Sequence, residues 1–180
     1  MTSRFGLREC RRGRYIGRMD FDGQVWFNFT DEAVWRFYRF VRELASAGAR
    51  VGLDWRPLPT EAEHDAMSVF ESLSSPEDRG RYLHALLGLV HIEARDPREP
   101  ETVAEAVRAA QVQPGARAAL DPLTEEASRL GVRTVPALYR HGPVVTVRLT
   151  GAALSGDVRR TAATILEMAS DDGIWELSKP

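Results

Sequence analysis

Val25-Trp26-Phe27-Asn28-Phe29-Thr30-Asp31-Glu32-Ala33-Val34-Trp35-Arg36-Phe37-Tyr38-Arg39-Phe40-Val41 carries the chain from one apolar rhythm into another. Val25 to Phe29 is short, aromatic and apolar on both faces, the pattern of a central strand. Thr30 then reads as a helix N-cap, with Asp31 and Glu32 placing negative charge on the first turn. Val34, Phe37, Tyr38, Val41, Leu44 and Ala45 recur at helical spacing, and Gly48 stops the helix. From Arg50 to Arg56, Val51, Leu53 and Trp55 alternate with Gly52 and Asp54, a strand ended by Pro57 and Pro59. Strand, helix and strand make a βαβ unit, whose strands are expected to be parallel with a right-handed crossover.

Working outward, Asp22-Gly23 between Tyr15–Phe21 and Gln24–Phe29 predicts a hairpin turn. Residues 1–18 carry Arg4, Arg8, Arg11, Arg12, Arg14 and Arg18 against Glu9 alone, an arm able to touch phosphate or an anionic surface or simply to stay solvated.

Downstream, every periodic segment from Thr60 to Leu130 reads as helix. Ala62, Ala66, Val69, Phe70 and Leu73 form one stripe. Ser75 caps a helix begun by Pro76 and carrying Tyr82, Leu83, Leu86, Leu87 and Val90. Pro97 and Pro100 precede a helix with Val103, Ala106 and Val107, and Asp121-Pro122 is predicted to cap another with Leu123, Ala127 and Leu130, ended by Gly131. Thr134 to Tyr139, a turn at His141-Gly142-Pro143, and Val144 to Leu149 read as an antiparallel pair. Leu154, Val158, Ala162, Ile165 and Ala169 give a last amphipathic helix. The expected division is an arm and hairpin over 1–23, an α/β domain formed by 24–59 and 131–180, and an inserted helical subdomain over 60–130.

Composition narrows the chemistry. The chain has 180 residues, 43% apolar and 28% charged, and a net charge of −2. A chain of this size buries ~70% of the surface its unfolded form exposes and needs no staple. The charge balance argues against a nucleic-acid binder. No run has the length of a membrane helix, and the N-terminus has arginines without an apolar stretch, so a cytoplasmic location is expected. Cys10 is the only cysteine. By itself the chain therefore forms no internal disulfide, no CxxC pair, no multi-cysteine zinc site and no iron–sulfur site. Among His64, His84, His91 and His141, the pair His84 and His91 is seven residues apart, outside the spacing that lets two helical histidines reach one metal, and no metal is expected.

Two further stretches carry a family likeness. Leu130-Gly131-Val132-Arg133-Thr134-Val135-Pro136-Ala137-Leu138 is similar to a Gly-Val-x-x-Val-Pro approach to a strand, and His91-Ile92-Glu93-Ala94-Arg95-Asp96-Pro97, leading to Pro100 and Val103, is similar to a helical-insert segment. With the strand-to-helix start, residues 24–170 resemble the DsbA-like branch of the thioredoxin superfamily, which includes kappa-class glutathione transferases and 2-hydroxychromene-2-carboxylate isomerases. The resemblance implies an α/β thioredoxin-like fold, βαβ…ββα with a helical insertion, and a cis Pro136. It also implies that Val135 offers its backbone N–H and C=O to an extended peptide or a thiol cosubstrate.

The chemistry of that family sits at the tip of the first helix, where orphan N–H groups and the helix dipole lower a thiol pKa. Here Asp31 falls at the first-cysteine position and Val34 at the second, so thiol–disulfide exchange is excluded for this chain alone. Thr30 and Asp31 are the candidate catalytic residues: Thr30 in place of the isomerase serine, Asp31 orienting a substrate hydroxyl or binding a cation. Both also serve as ordinary helix-capping residues. Candidate binding residues are Thr134, Val135, Pro136, Glu32 and Trp35, with Trp26 or Trp35 able to line an aromatic pocket or to belong to the core. Cys10, among arginines, is either a low-pKa thiol or incidental. Three functions stay open: a non-redox protein that keeps a peptide- or thiol-binding groove beside Pro136; an isomerase or transferase using a low-molecular-weight thiol, glutathione or mycothiol; or an interaction module. No nucleic-acid or membrane partner is expected.

Overall fold

The structure, a computed structural model, describes residues 19–149 and 157–170. Its elements in chain order are β1 (Asp20–Phe27), α1 (Glu32–Ser46), β2 (Arg50–Pro57), a 3-10 turn (Glu61–Glu63), α2 (His64–Ser72), α3 (Pro76–His91), α4 (Pro100–Ala110), α5 (Asp121–Leu130), β3 (Ala137–Tyr139), β4 (Val145–Thr146) and α6 (Val158–Ser170). The sheet has the order β2-β1-β3-β4. β1 and β2 are parallel, β3 runs antiparallel to β1, and β4 antiparallel to β3. Parallel neighbours need a long connection, which α1 supplies, whereas β3 and β4 need only a tight turn. The helices α2 to α5 all lie between β2 and β3 in sequence.

The hairpin expected at Asp22-Gly23 is absent. β1 passes through that dipeptide unbroken and pairs with β2 from Asp20↔Arg50 to Phe27↔Pro57. The glycine answers to a close approach rather than a reversal. Gly23 has φ +136, and a Cβ there would lie 2.8 Å from the Tyr139 carbonyl oxygen. Beside it, the Arg140 Nε donates to Asp22 Oδ1 at 2.6 Å. A local turn signal is thus overridden by a strand neighbour far along the chain. The expected arginine arm over residues 1–18, with Cys10 and the start of the expected hairpin, lies outside the described residues.

Two apolar cores form. Phe21, Val25 and Leu138 pack with Phe37, Phe40, Val41 and Leu44 of α1 and with Ala162, Ile165 and Ala169 of α6. Trp26, Phe27 and Phe29 pack with the inserted helices through Met67, Phe70, Tyr82, Leu83 and Leu86. Phe27 meets Phe70 edge-on at 5.2 Å, and Phe29 meets Tyr82 edge-on at 6.2 Å. Edge-to-face rings add to the area they bury, so this seam fixes the insert against the end of β1.

Two caps differ from expectation. The N-cap of α1 is Asp31, whose side chain accepts from the Ala33 N–H at 2.8 Å. Thr30 lies one residue before that cap, and its hydroxyl bonds to a buried acid described below. The N-cap of α5 is Leu120, with no side-chain bond, and Asp121 is the first helical residue. Ser75 does cap α3, accepting from the Asp78 N–H at 3.0 Å. Among the described residues no helix is long and apolar enough to cross a membrane.

Candidate functional site

The register decides what can meet what. Trp26 is paired with Ala137, so residues 28–31, after β1, and residues 134–136, before β3, lie at one end of neighbouring antiparallel strands. The Val135–Pro136 peptide bond is cis. Val135 and Pro136 are buried and Thr134 is exposed. The Pro136 carbonyl accepts from the Val147 N–H at 2.9 Å, and the Thr134 and Thr146 hydroxyls are 2.8 Å apart. Among the described residues the N–H and C=O of Val135 have no backbone hydrogen-bond partner.

At the facing tip, Asn28 Oδ1 accepts from the Asp31 N–H at 2.9 Å, and Asp31 then caps α1. Glu32 is exposed and bridges to Arg36 one turn on, at 2.5 Å. The centre of the arrangement is Glu63, only 3% exposed. Its Oε2 accepts from the Phe29 N–H at 2.7 Å, and its Oε1 accepts from the Thr30 hydroxyl at 2.5 Å. A carboxylate out of water needs such donors, because each unmet acceptor carries its desolvation cost. His91, at the last position of α3, holds the other side of the same peptide. Its Nε2 lies 2.9 Å from the Phe29 carbonyl oxygen. A carbonyl only accepts, so Nε2 carries the proton and Nδ1 is the acceptor nitrogen of the neutral ring. Burial pushes the His91 pKa down, against the Phe29 bond and the charges of Glu32, Asp31 and Glu63.

Trp35 lies flat on the His91 ring, centroids 5.7 Å apart and planes 6° apart, and stacks on Tyr38 at 6.0 Å. Trp26 is fully buried in the core and lines nothing. The structure therefore gathers Thr30, Asp31, Glu32 and Trp35 around the start of α1, joined by Glu63 and His91. Thr134, Val135 and Pro136 form a separate group at the same end of the sheet, with no hydrogen bond joining the two groups among the described residues.

Glu63 stands outside the candidate set that the sequence suggests, yet it carries a signal there. Glu63, Ala66, Met67 and Phe70 stand at i, i+3, i+4 and i+7, and the last three are core residues. An acid on the apolar stripe of a helix implies a buried partner. His91 opens the segment that resembles the helical insert, but nothing in its sequence spacing points to the Phe29 carbonyl. Among the described residues no group of three His, Cys, Asp or Glu side chains could hold a metal ion.

The chemical capacity of the tip follows from one proton. The single hydroxyl proton of Thr30 is committed to Glu63. What Thr30 offers a ligand is its lone pairs, so it can accept a hydrogen bond but does not donate one to a thiolate. Asp31, Glu32 and Glu63 add negative charge where a thiolate would need positive.

No family model matches the sequence, and no curated protein does. Solved structures do. A periplasmic thioredoxin-like protein from Salmonella enterica serovar Typhimurium aligns over 79% of this chain and 84% of its own, with a TM-score of 0.57 and 14% identity. DsbL from the same organism aligns over 87% of this chain and 92% of its own, with a TM-score of 0.50 and 14% identity. At that identity the likeness is one of fold. The chain has an α/β thioredoxin-like fold of the DsbA type with helices inserted between β2 and β3, and its one cysteine supplies no CxxC pair.

Proposed function

We propose that this protein is a non-redox member of the thioredoxin fold that binds an extended peptide beside Pro136. The observation that carries the reading is Val135. A buried residue whose N–H and C=O have no backbone partner among the described residues presents the donor and acceptor that one residue of an extended chain satisfies, as in strand addition. A thiol cosubstrate is the weaker fit, because the Thr30 proton is held by Glu63 and three carboxylates surround the helix tip. Thr30 serves as an acceptor for the peptide, Trp35 as an apolar wall, and Thr134 as a rim hydroxyl.

The test is an amide-shift titration by NMR. Three probes are used at millimolar concentration: a capped tetrapeptide with one cysteine, its S-methylated form, and glutathione. Equal shifts of the Val135 and Thr30 amides with both peptides support the reading. Shifts with the free thiols alone turn it into thiol recognition, of the isomerase or transferase kind. No shift with any probe removes the groove from consideration.

A further inference from the structure

The open edge of the sheet carries a second surface. β2 has β1 on one side and, among the described residues, no strand on the other. The Arg50 N–H donates to Met19 and the Leu58 N–H to Phe27. In a parallel ladder both polar groups of a residue point to the same neighbour, so the even-numbered residues of β2 bond to β1. Val51, Leu53 and Trp55 then point their N–H and C=O groups outward, and they meet no backbone partner among the described residues. Pro57, which has no N–H, falls in the same outward set, a position proline tolerates at an edge. Three outward donor–acceptor pairs in a row form a template for another strand.

From the charges along this edge we propose that the occupant is a second copy of this chain, paired antiparallel through β2 about a two-fold axis at Gly52. A two-fold axis perpendicular to the sheet passes midway between the two copies of one residue of the strand. Through Gly52, Val51 of one copy faces Leu53 of the other, and the two exchange their outward hydrogen bonds. Arg50 then faces Asp54, twice over, at the closely spaced positions where side chains meet. Each charge is available. Arg50 is exposed and has no ion pair with a described residue. Asp54 uses Oδ2 on the Arg56 Nε at 2.8 Å and keeps Oδ1. Neighbouring registers lose this match. An axis at Leu53 opposes Arg50 to Arg56, an axis at Asp54 opposes the two Asp54 carboxylates, and an axis at Val51 pairs no opposite charges; an axis at Trp55 opposes Asp54 to Arg56 but sets Leu53 against Pro57, which has no N–H to donate. Gly52 itself fits the axis. Within its own chain a Cβ there would meet only Asp22 Cβ, at 3.7 Å, so the fold does not require glycine. Glycine inside a strand commonly marks the close approach of a second backbone. The pairing joins two four-stranded sheets into one continuous sheet.

Sedimentation equilibrium of the full chain tests this with three proteins. The unsubstituted chain forms a dimer that weakens as salt is raised. Asp54→Arg sets arginine against Arg50 at both positions and raises the dissociation constant about tenfold. Arg50→Asp combined with Asp54→Arg restores opposite charges and returns the constant to within about threefold of the starting value, since contacting pairs are not additive. A monomer at all concentrations overturns the proposal. So does a dimer indifferent to Asp54→Arg, or a double variant no tighter than the single one.

Discussion

Thr30 donates its hydroxyl proton to a carboxylate of Glu63 that lies 33 residues away in sequence, at 2.5 Å. This bond, with that from Phe29, ties the end of β1 to the start of the inserted helices. Replacing Glu63 with Ala removes a charged acceptor and strands the Phe29 N–H, a loss of about 3 kcal/mol. Glu63→Gln keeps one acceptor and should lose about 1 kcal/mol, and Thr30→Val about the same. Urea unfolding gives the order, and a neutral Glu63→Ala would mean that the buried acid holds nothing.

His91 makes stability depend on pH in a stated direction. Burial, the largest influence, places its pKa in the folded chain below that of a free imidazole. The unfolded chain therefore takes up this proton first as pH falls, near 6.5 or about one unit either side. The contribution is complete above that pH and is lost on acidification. Between neutral pH and about pH 5 the unsubstituted chain should lose more stability than His91→Gln, with His84 and the carboxylates common to both. Parallel pH profiles would refute the assignment. The Nε2–H tautomer is directly visible in the ring nitrogen shifts.

Gly23 and Gly52 stand on neighbouring strands, and alanine should treat them oppositely. At Gly23 the positive φ and the Tyr139 carbonyl oppose a Cβ, so Gly23→Ala should cost more than about 1 kcal/mol. At Gly52 there is room, and Gly52→Ala should be neutral or gain a few tenths of a kcal/mol, about 0.4, by restricting the unfolded chain. Thermal melts of both variants at low protein concentration make the comparison.

Insulin-reduction and disulfide-oxidation assays should give rates equal to buffer. Asp31 stands at the helix tip as a hydrogen-bonded cap, and Cys10 has no second cysteine in the chain. Turnover above background would contradict the whole reading of the tip.

What the sequence made legible was periodic. The alternation of Val51, Leu53 and Trp55 and the helical stripe of Val34, Phe37, Tyr38, Val41 and Leu44 are local, and the parallel β1–β2 pair with α1 between them follows. The helices between Thr60 and Leu130 and the antiparallel β3–β4 pair were readable for the same reason. Asp22-Gly23 misled because the residue that fixes its shape, Tyr139, is remote. Thr30 read as a cap because its real partner, Glu63, belongs to another element. The contacts around Thr30 and Phe29 are of this distant kind, and local spacing carries no trace of them.

The pairing of β1 with β3 has a consequence for synthesis. On the side away from β2, Gln24 is paired with Tyr139, and everything from α1 to α5 leaves the ribosome between them. Until β3 emerges, the inner strand of the finished sheet has one flank bare, carrying Val25 and Trp26 with it. A nascent chain in that condition invites chaperone capture or wrong pairing, and the step that ends its exposure comes late in translation.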